Sequence, residues 1–323
     1  MALRPAARSG MALILTLAAI VLAGGLALYL QARGSVLARA EQAALRQEQL
    51  RVAAAEAVRE ALFTLASDED LQVDHLGEDW AMPREMVREE GISTWAVVED
   101  AGRFFNWNNL ALSNRATRTS HDILLDLMTF CGDFSPVVRV DALVDFLDAD
   151  EEGAYEAEFY QTGEAPYRPA NRMLWAPAEL LWSHELTADL FQPRPPPGPD
   201  ELFGGNLAGA TVVVPAVPEA PIPVNVNTAD RDVLMGLTGL QQEAAVRTVL
   251  ALRQVQPFDS LAMMFMANPE LAAALEGSVS TASTYFRVRA RAAQDGQACS
   301  VLAWVEREKS GDVRILQWLE QEG

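Results

Sequence analysis

The sequence predicts an α+β protein, a long N-terminal helix packed on an antiparallel sheet with a large α-helical domain inserted between the strands. Three observations predict it. Residues 11–30 carry no charge and lead without a proline into an amphipathic stretch that runs to residue 66. β-type runs occur near residue 92 and return only after residue 285. The pattern between them is helical, and helices segregated from strands indicate α+β rather than alternating βαβ units.

The uncharged stretch, Met11 to Leu30, follows Arg4, Arg8 and Ser9-Gly10. A helix rising about 1.5 Å per residue over this length covers a hydrocarbon core of about 30 Å. The basic residues ahead of it hold its start in the cytoplasm and send the remainder across. Three readings fit: a signal peptide cut near Gln31-Ala32, a plain anchor, and a helix kept after a leader is removed at Gly10. A cleaved signal has a shorter apolar core, of about 7–15 residues.

Residues 35–66 are rich in Ala, Leu, Arg, Glu and Gln, and no proline follows until Pro83, so the helix continues. Leu50, Ala54, Val58, Ala61 and Leu65 share a face. That stripe is too short and Ala-rich for a coiled-coil seam and predicts packing on a sheet. Residues 92–98 alternate, Ala101-Gly102 marks a turn, and residues 103–108 return, which predicts a hairpin.

Helices are expected over residues 122–131 and 137–147, the second with Ser135 as cap and Pro136 at its first position, and from Ala176-Pro177 onward. Nine acidic residues lie from Asp141 to Glu164, and no Lys or Arg falls between Arg139 and Arg168. Such carboxylates repel one another, and a hard cation with oxygen ligands, calcium where the loop is flexible, relieves this. The segment is not an EF-hand, because its glycine and glutamate are misplaced. The plainer reading is a solvated acidic face with Asp145 or Asp148 paired to Arg168 or Arg172.

Nine of the seventeen prolines lie between Pro193 and Pro223, so residues 193–223 read as a linker, with the run 194–199 as spacer. Residues 224–278 then read as a helix-hairpin-helix-like unit. Thr228 is placed to cap its first helix, Asp230 and Asp232 suit the positive end, Gly239 turns the chain, and Ala245, Val249 and Leu252 form a buried face. Such units often hold nucleic-acid backbone. The net charge of −20, the scarcity of Lys in the unit and the anchor oppose that use. Residues 285–291, 300–305 and 313–319 close the chain as strands that complete the sheet. Arg287, Arg289 and Arg291 share a face that is either solvated or meets an acidic partner.

Cys131 and Cys299 could pair in an oxidising compartment or be separate buried thiols. His75, His121 and His184 show no metal-ligand spacing. No Gly-rich phosphate loop, G-x-S-x-G or Cys-x-x-Cys occurs, so no catalytic constellation is visible.

Several passages carry a family resemblance. The basic leader ending in Gly10, followed by Met11-Ala12-Leu13-Ile14-Leu15, resembles a type IV prepilin signal. The glutamate usual at the fifth mature position is replaced by Leu15. Two internal passages resemble the minor pseudopilin K family of type II secretion systems: Ala142 to Glu152 continuing to Pro166-Tyr167-Arg168-Pro169-Ala170-Asn171-Arg172, and Asn225-Val226-Asn227-Thr228-Ala229 with Pro257-Phe258.

The resemblance implies a pilin-like fold with a SAM-like helical unit, and the following organisation. Residues 1–10 form a leader, 11–30 the membrane part and 31–66 the periplasmic part of one helix. Residues 67–112 begin the pilin-like domain, 113–192 form the inserted helical domain, 193–223 the linker, 224–278 the helix-hairpin-helix-like unit and 279–323 the final strands. It implies cleavage after Gly10 by a prepilin peptidase, N-methylation of Met11, and calcium held by Asp145, Asp148, Asp150 and Glu156.

The function implied is that of a non-enzymatic subunit at the tip of the pseudopilus. It would be anchored in the bacterial inner membrane by a single pass, with its bulk in the periplasm. Minor pseudopilins I and J, and other pseudopilins, are the expected partners, with exported substrate or the secretin as further contacts. A competence-type pseudopilin that binds nucleic acid and a membrane-anchored hydrolase are the rival readings.

Overall fold

The helix-forming composition of the first fifth yields one unbroken helix, α1 (Arg8–Ala66), of 59 residues, about 88 Å long. Residues 11–46 are exposed along their whole length. Beyond them one face is buried. Leu50, Ala54, Val58, Ala61 and Leu65 lie there as the stripe predicts, joined by Ala53 and Ala57. The alanines let the helix lie close against the sheet. The computed structural model describes residues 8–88, 91–112, 117–162, 166–192 and 205–322.

Two strands follow, β1 (Arg84–Val87) and β2 (Ser93–Asp100), then the short β3 (Phe105–Asn106). Helices α2 (Ser120–Phe130), α3 (Pro136–Leu147), α4 (Ala157–Gln161) and α5 (Leu207–Ala210) lead to β4 (Thr211–Val212) and β5 (Val224–Asn225). Helices α6 (Arg231–Thr238), α7 (Glu243–Val255), α8 (Leu261–Ala267) and α9 (Pro269–Leu275) precede β6 (Val279–Ser280). The chain closes with β7 (Tyr285–Gln294), β8 (Gln297–Arg307) and β9 (Val313–Glu322).

The main sheet has the order β1-β2-β7-β8-β9 and is antiparallel throughout. Its inward residues, among them Ala96, Val98, Phe286, Val288, Val301 and Val305, meet the buried face of α1. Arg289 and Arg291 are exposed on its other side, and Arg287 and Arg289 both reach Glu99. Because Asp100 at the end of β2 pairs with Phe286 at the start of β7, everything between is inserted into the sheet.

Two contacts orient this body on its anchor. Arg46 meets Asp295, in the β7–β8 turn, at 3.4 Å, so that turn lies where α1 first reaches the sheet. At the other end of α1, Asp68 pairs with Arg307 at the end of β8, at 2.7 Å. Residues 46 and 66 are separated by about 30 Å of helix. The insertion leaves and re-enters the sheet at the end remote from the membrane-length segment.

Several expectations are corrected. Residues 92–98 and 103–108 do not form a hairpin. β2 instead pairs with β1 and β7, and β3 pairs in parallel with β4. The Asn side chains explain the departure, since Asn106, Asn108 and Asn109 are buried and bond backbone groups of residues 174, 214 and 222.

Residues 205–223 are not a linker. Leu207, Val212, Val213, Val214 and Ile222 are buried. One hydrophobic core reaches from Phe105 through Phe130, Leu143 and Val213 to Val249, Phe258 and Val279, so the helical segments on either side form one lobe. The proline run at 194–199 lies outside the described residues.

Ser135 makes no side-chain cap bond, although Pro136 does begin α3. The start at Ala176-Pro177 yields only a short 3-10 helix, Pro177–Trp182. Asp230, not Thr228, occupies the cap position of α6. Gly239 turns the chain with φ +86°, a conformation that favours glycine. Leu252 is exposed rather than buried, and Val246 takes its place beside Ala245 and Val249. Cys131 lies in the lobe core and Cys299 in the sheet core, so no disulfide joins them.

Candidate functional site

The acidic passage folds as the end of α3, a loop and the short α4. The amide of Asp148 closes α3 on Val144 O at 2.9 Å. The loop then brings carboxylate oxygens of Asp148, Asp150 and Glu156 within 4.8 Å of one another. Asp148 Oδ1 and Glu156 Oε1 are buried and have no hydrogen-bond partner. Burial pushes both carboxyls above their ordinary range, and their acidic neighbours, Asp145 and Asp150 among them, push further. Asp150 Oδ1 accepts a bond from the Glu152 amide at 2.8 Å.

Asp145, the fourth candidate, is placed differently. It is buried in the last turns of α3, and its Oδ2 accepts the Tyr155 amide at 2.8 Å. Among the described residues no arginine pairs with Asp145 or Asp148, and Arg172 pairs with Glu179 at 2.8 Å. Two dry carboxylate oxygens without a donor, in an all-oxygen cluster of like charge, fit a hard divalent cation.

A second polar assembly joins lobe to sheet at the end of α1. Arg307 is buried and its guanidinium contacts Asp74 at 2.5 Å and Asp68 at 2.7 Å, lying 4.8 Å over the Phe286 ring. Burial raises the Asp74 carboxyl to about 6 despite Arg307. Burial likewise raises Glu78 to about 7, although it accepts the His75 amide and Trp80 Nε1, both at 2.6 Å.

Asp100 is fully buried, which pushes its carboxyl upward. It accepts the Gly102 amide at 2.7 Å, Thr228 Oγ1 at 2.5 Å and Asn225 Nδ2 at 3.0 Å. Asn225 Nδ2 also donates to Asp74 O at 3.0 Å. Asn227 exchanges bonds with the Phe258 backbone, donating at 3.1 Å and accepting at 2.8 Å. The Asn225 to Ala229 passage is therefore a fastening between lobe and sheet. Sequence reading identified the passage but not Asp74, Asp100 or Arg307. The only local sign was a charged residue ending an apolar strand run.

At the amino end, Met11 and Leu15 are exposed on α1, and Gly10 lies within its first turns. Residues 1–7 of the leader lie outside the described residues. Among the described residues one helix, within residues 11–66, is long and apolar enough to cross a membrane.

A membrane-length helix that runs unbroken onto an antiparallel sheet is a pilin-like arrangement, here enlarged by an inserted helical lobe. Residues 103–195 match the family model described as type II secretion system (T2SS), protein K. The chain is 29% identical over 255 residues to type II secretion system protein K of Pseudomonas aeruginosa, covering 76% of this chain and 70% of that protein. A chain of the crystal structure of the GspK-GspI-GspJ complex from enterotoxigenic Escherichia coli superposes with a TM-score of 0.68 at 20% identity, covering 87% of this chain and 99% of that one. In sequence and in fold the chain is thus similar to type II secretion system protein K, the minor pseudopilins K.

Proposed function

We propose that this chain is a non-enzymatic subunit at the tip of the type II secretion pseudopilus. There it would assemble with minor pseudopilins I and J, whose counterparts are GspK's partners in the complex that the similar structure describes. The observation that carries this reading is the position of the lobe. It is inserted at the end of the sheet remote from the anchor, where it would block a further subunit from stacking above. Leu15 supports it too. A subunit with nothing above it has no amino terminus for a fifth-residue glutamate to neutralise.

In this reading α1 crosses the inner membrane once and the sheet and lobe lie in the periplasm. A prepilin peptidase removes residues 1–10 and methylates Met11. Exported protein or the secretin would meet the lobe. Calcium, held by Asp148, Asp150 and Glu156, would neutralise their mutual repulsion and fix the loop between α3 and α4. The acidic surface gives no support to nucleic-acid binding by α6 and α7.

The test is assembly. The full chain in detergent, mixed with the I and J pseudopilins of the same secretion system, should elute from a sizing column as one ternary species. Elution of the chain apart from both, with each partner folded, would exclude the role.

A further inference from the structure

We infer that the sheet face opposite α1 docks an extended segment of a partner polypeptide, acidic at one end and apolar at the other. The inner face of the sheet is taken by α1. On the outer face the strand registers lay the side chains out in rows. Glu99, Arg287 and Trp304 form the row nearest the lobe, Val97, Arg289 and Leu302 the next, and Trp95, Arg291 and Ser300 the third.

The charge on this face is the reverse of that on the chain. Glu99 engages Arg287 closely and Arg289 at 3.6 Å, and the Arg289 side chain is still 52% exposed. Arg291 is exposed, and among the described residues no carboxylate pairs with it. Glu85, the acidic residue on the same face, is separated from Arg291 by Trp95. In a chain of 25 basic and 45 acidic residues, two arginines left open side by side select an acidic partner.

The rest of the surface is apolar. Trp95, Leu302 and Leu319 line one groove with the two arginines. Leu302 and Leu319 also line a crevice beneath the lobe, with Trp175, Leu181 and Trp304. One path therefore runs from Arg291 past Arg289 and Leu302 to the lobe. A small anion would use the arginines and leave the apolar half empty, whereas an extended chain uses both. Its same-side residues repeat every two positions, about 7 Å apart, which is also the spacing of Arg289 and Arg291 along their strand. Two carboxylates at that spacing meet the arginines, and apolar residues next in line reach the crevice. The face is opposite α1 whatever stands above the lobe, so this surface does not depend on the tip placement.

Fluorescence anisotropy of a labelled peptide, Glu-Ser-Glu-Ser-Leu-Ser-Leu, titrated with the full chain in detergent tests this, with detergent alone as blank. Wild type should bind the peptide saturably. The same peptide with glutamine for both glutamates should bind at least about tenfold more weakly, because charge-assisted bonds are the strong ones. Arg291→Glu should lose the acidic peptide, and Leu319→Ser should weaken it by about threefold or more. Melting temperatures report whether each variant folds, and Arg291→Gln replaces Arg291→Glu if the reversal unfolds the sheet.

No saturable binding by wild type would overturn the proposal. So would equal affinity for the two peptides, or wild-type affinity in a folded Arg291 variant. Self-association on a sizing column that the Arg291 variant abolishes would give the face to a second copy of the chain, and would overturn it too.

Discussion

At the residue scale the buried carboxyls around Arg307 carry the clearest consequence. Asp74 and Glu78 have ordinary values of 3.8 and 4.5 and stand at about 6 and about 7 in the folded chain, raised by burial. The folded state therefore keeps protons that the unfolded chain has released. Stability is greatest below the unfolded values, falls as pH rises through about 4 to 7, and levels off above that window. Asp100, also raised by burial, acts in the same sense. Glu78→Gln is neutral at every pH and should lessen the fall in melting temperature between about pH 5 and pH 8, at about 2–4 °C for each kcal/mol of linkage removed. Thermal unfolding in detergent at the two pH values checks this. A fall as large as in wild type would show that Glu78 does not hold the proton.

At the element scale, α6 meets α2 through Gly236, where a Cβ would come within 2.8 Å of Leu127 Cβ and 3.2 Å of its Cα. Replacing an interior helical glycine by alanine ordinarily stabilises by about 1 kcal/mol. Here the added methyl meets backbone as well as side chain, and Gly236→Ala should instead destabilise the lobe by about 1–3 kcal/mol. Denaturant unfolding of the two chains decides the sign.

How legible each element was depends on where its partners lie in the chain. The buried face of α1 and the three closing strands follow from local periodicity, and they were readable. β1 was not, for all four of its residues are exposed and show no alternation. The two-residue parallel pairs β3–β4 and β5–β6 have no sequence signature at that length. Asn106, Asn108 and Thr228 were misread as strand and cap residues because their partners lie from 66 to 128 positions away. Within the acidic cluster, the family resemblance implied four candidates. It could not show that three converge while Asp145 bonds the backbone.

At the scale of the whole molecule, one direction runs through the structure. α1 starts as a membrane-length segment, becomes a packing surface at Leu50 and ends at the Arg307 cluster. There the chain that enters the lobe leaves β2, and the chain that returns starts β7. The sheet is thus a joint between an anchor and a bulky head. The fastenings at Asp74, Asp100 and Asn225 hold the head at the far end. In the proposed function a head held at that end would close a filament.

The most direct test of that closure is the location of the subunit in the filament. Pseudopili sheared from cells producing this chain with its partner pseudopilins can be labelled with gold-conjugated antibody against the lobe and imaged by electron microscopy. Label at one end of each filament is the predicted result. Label distributed along the shaft would contradict a capping subunit.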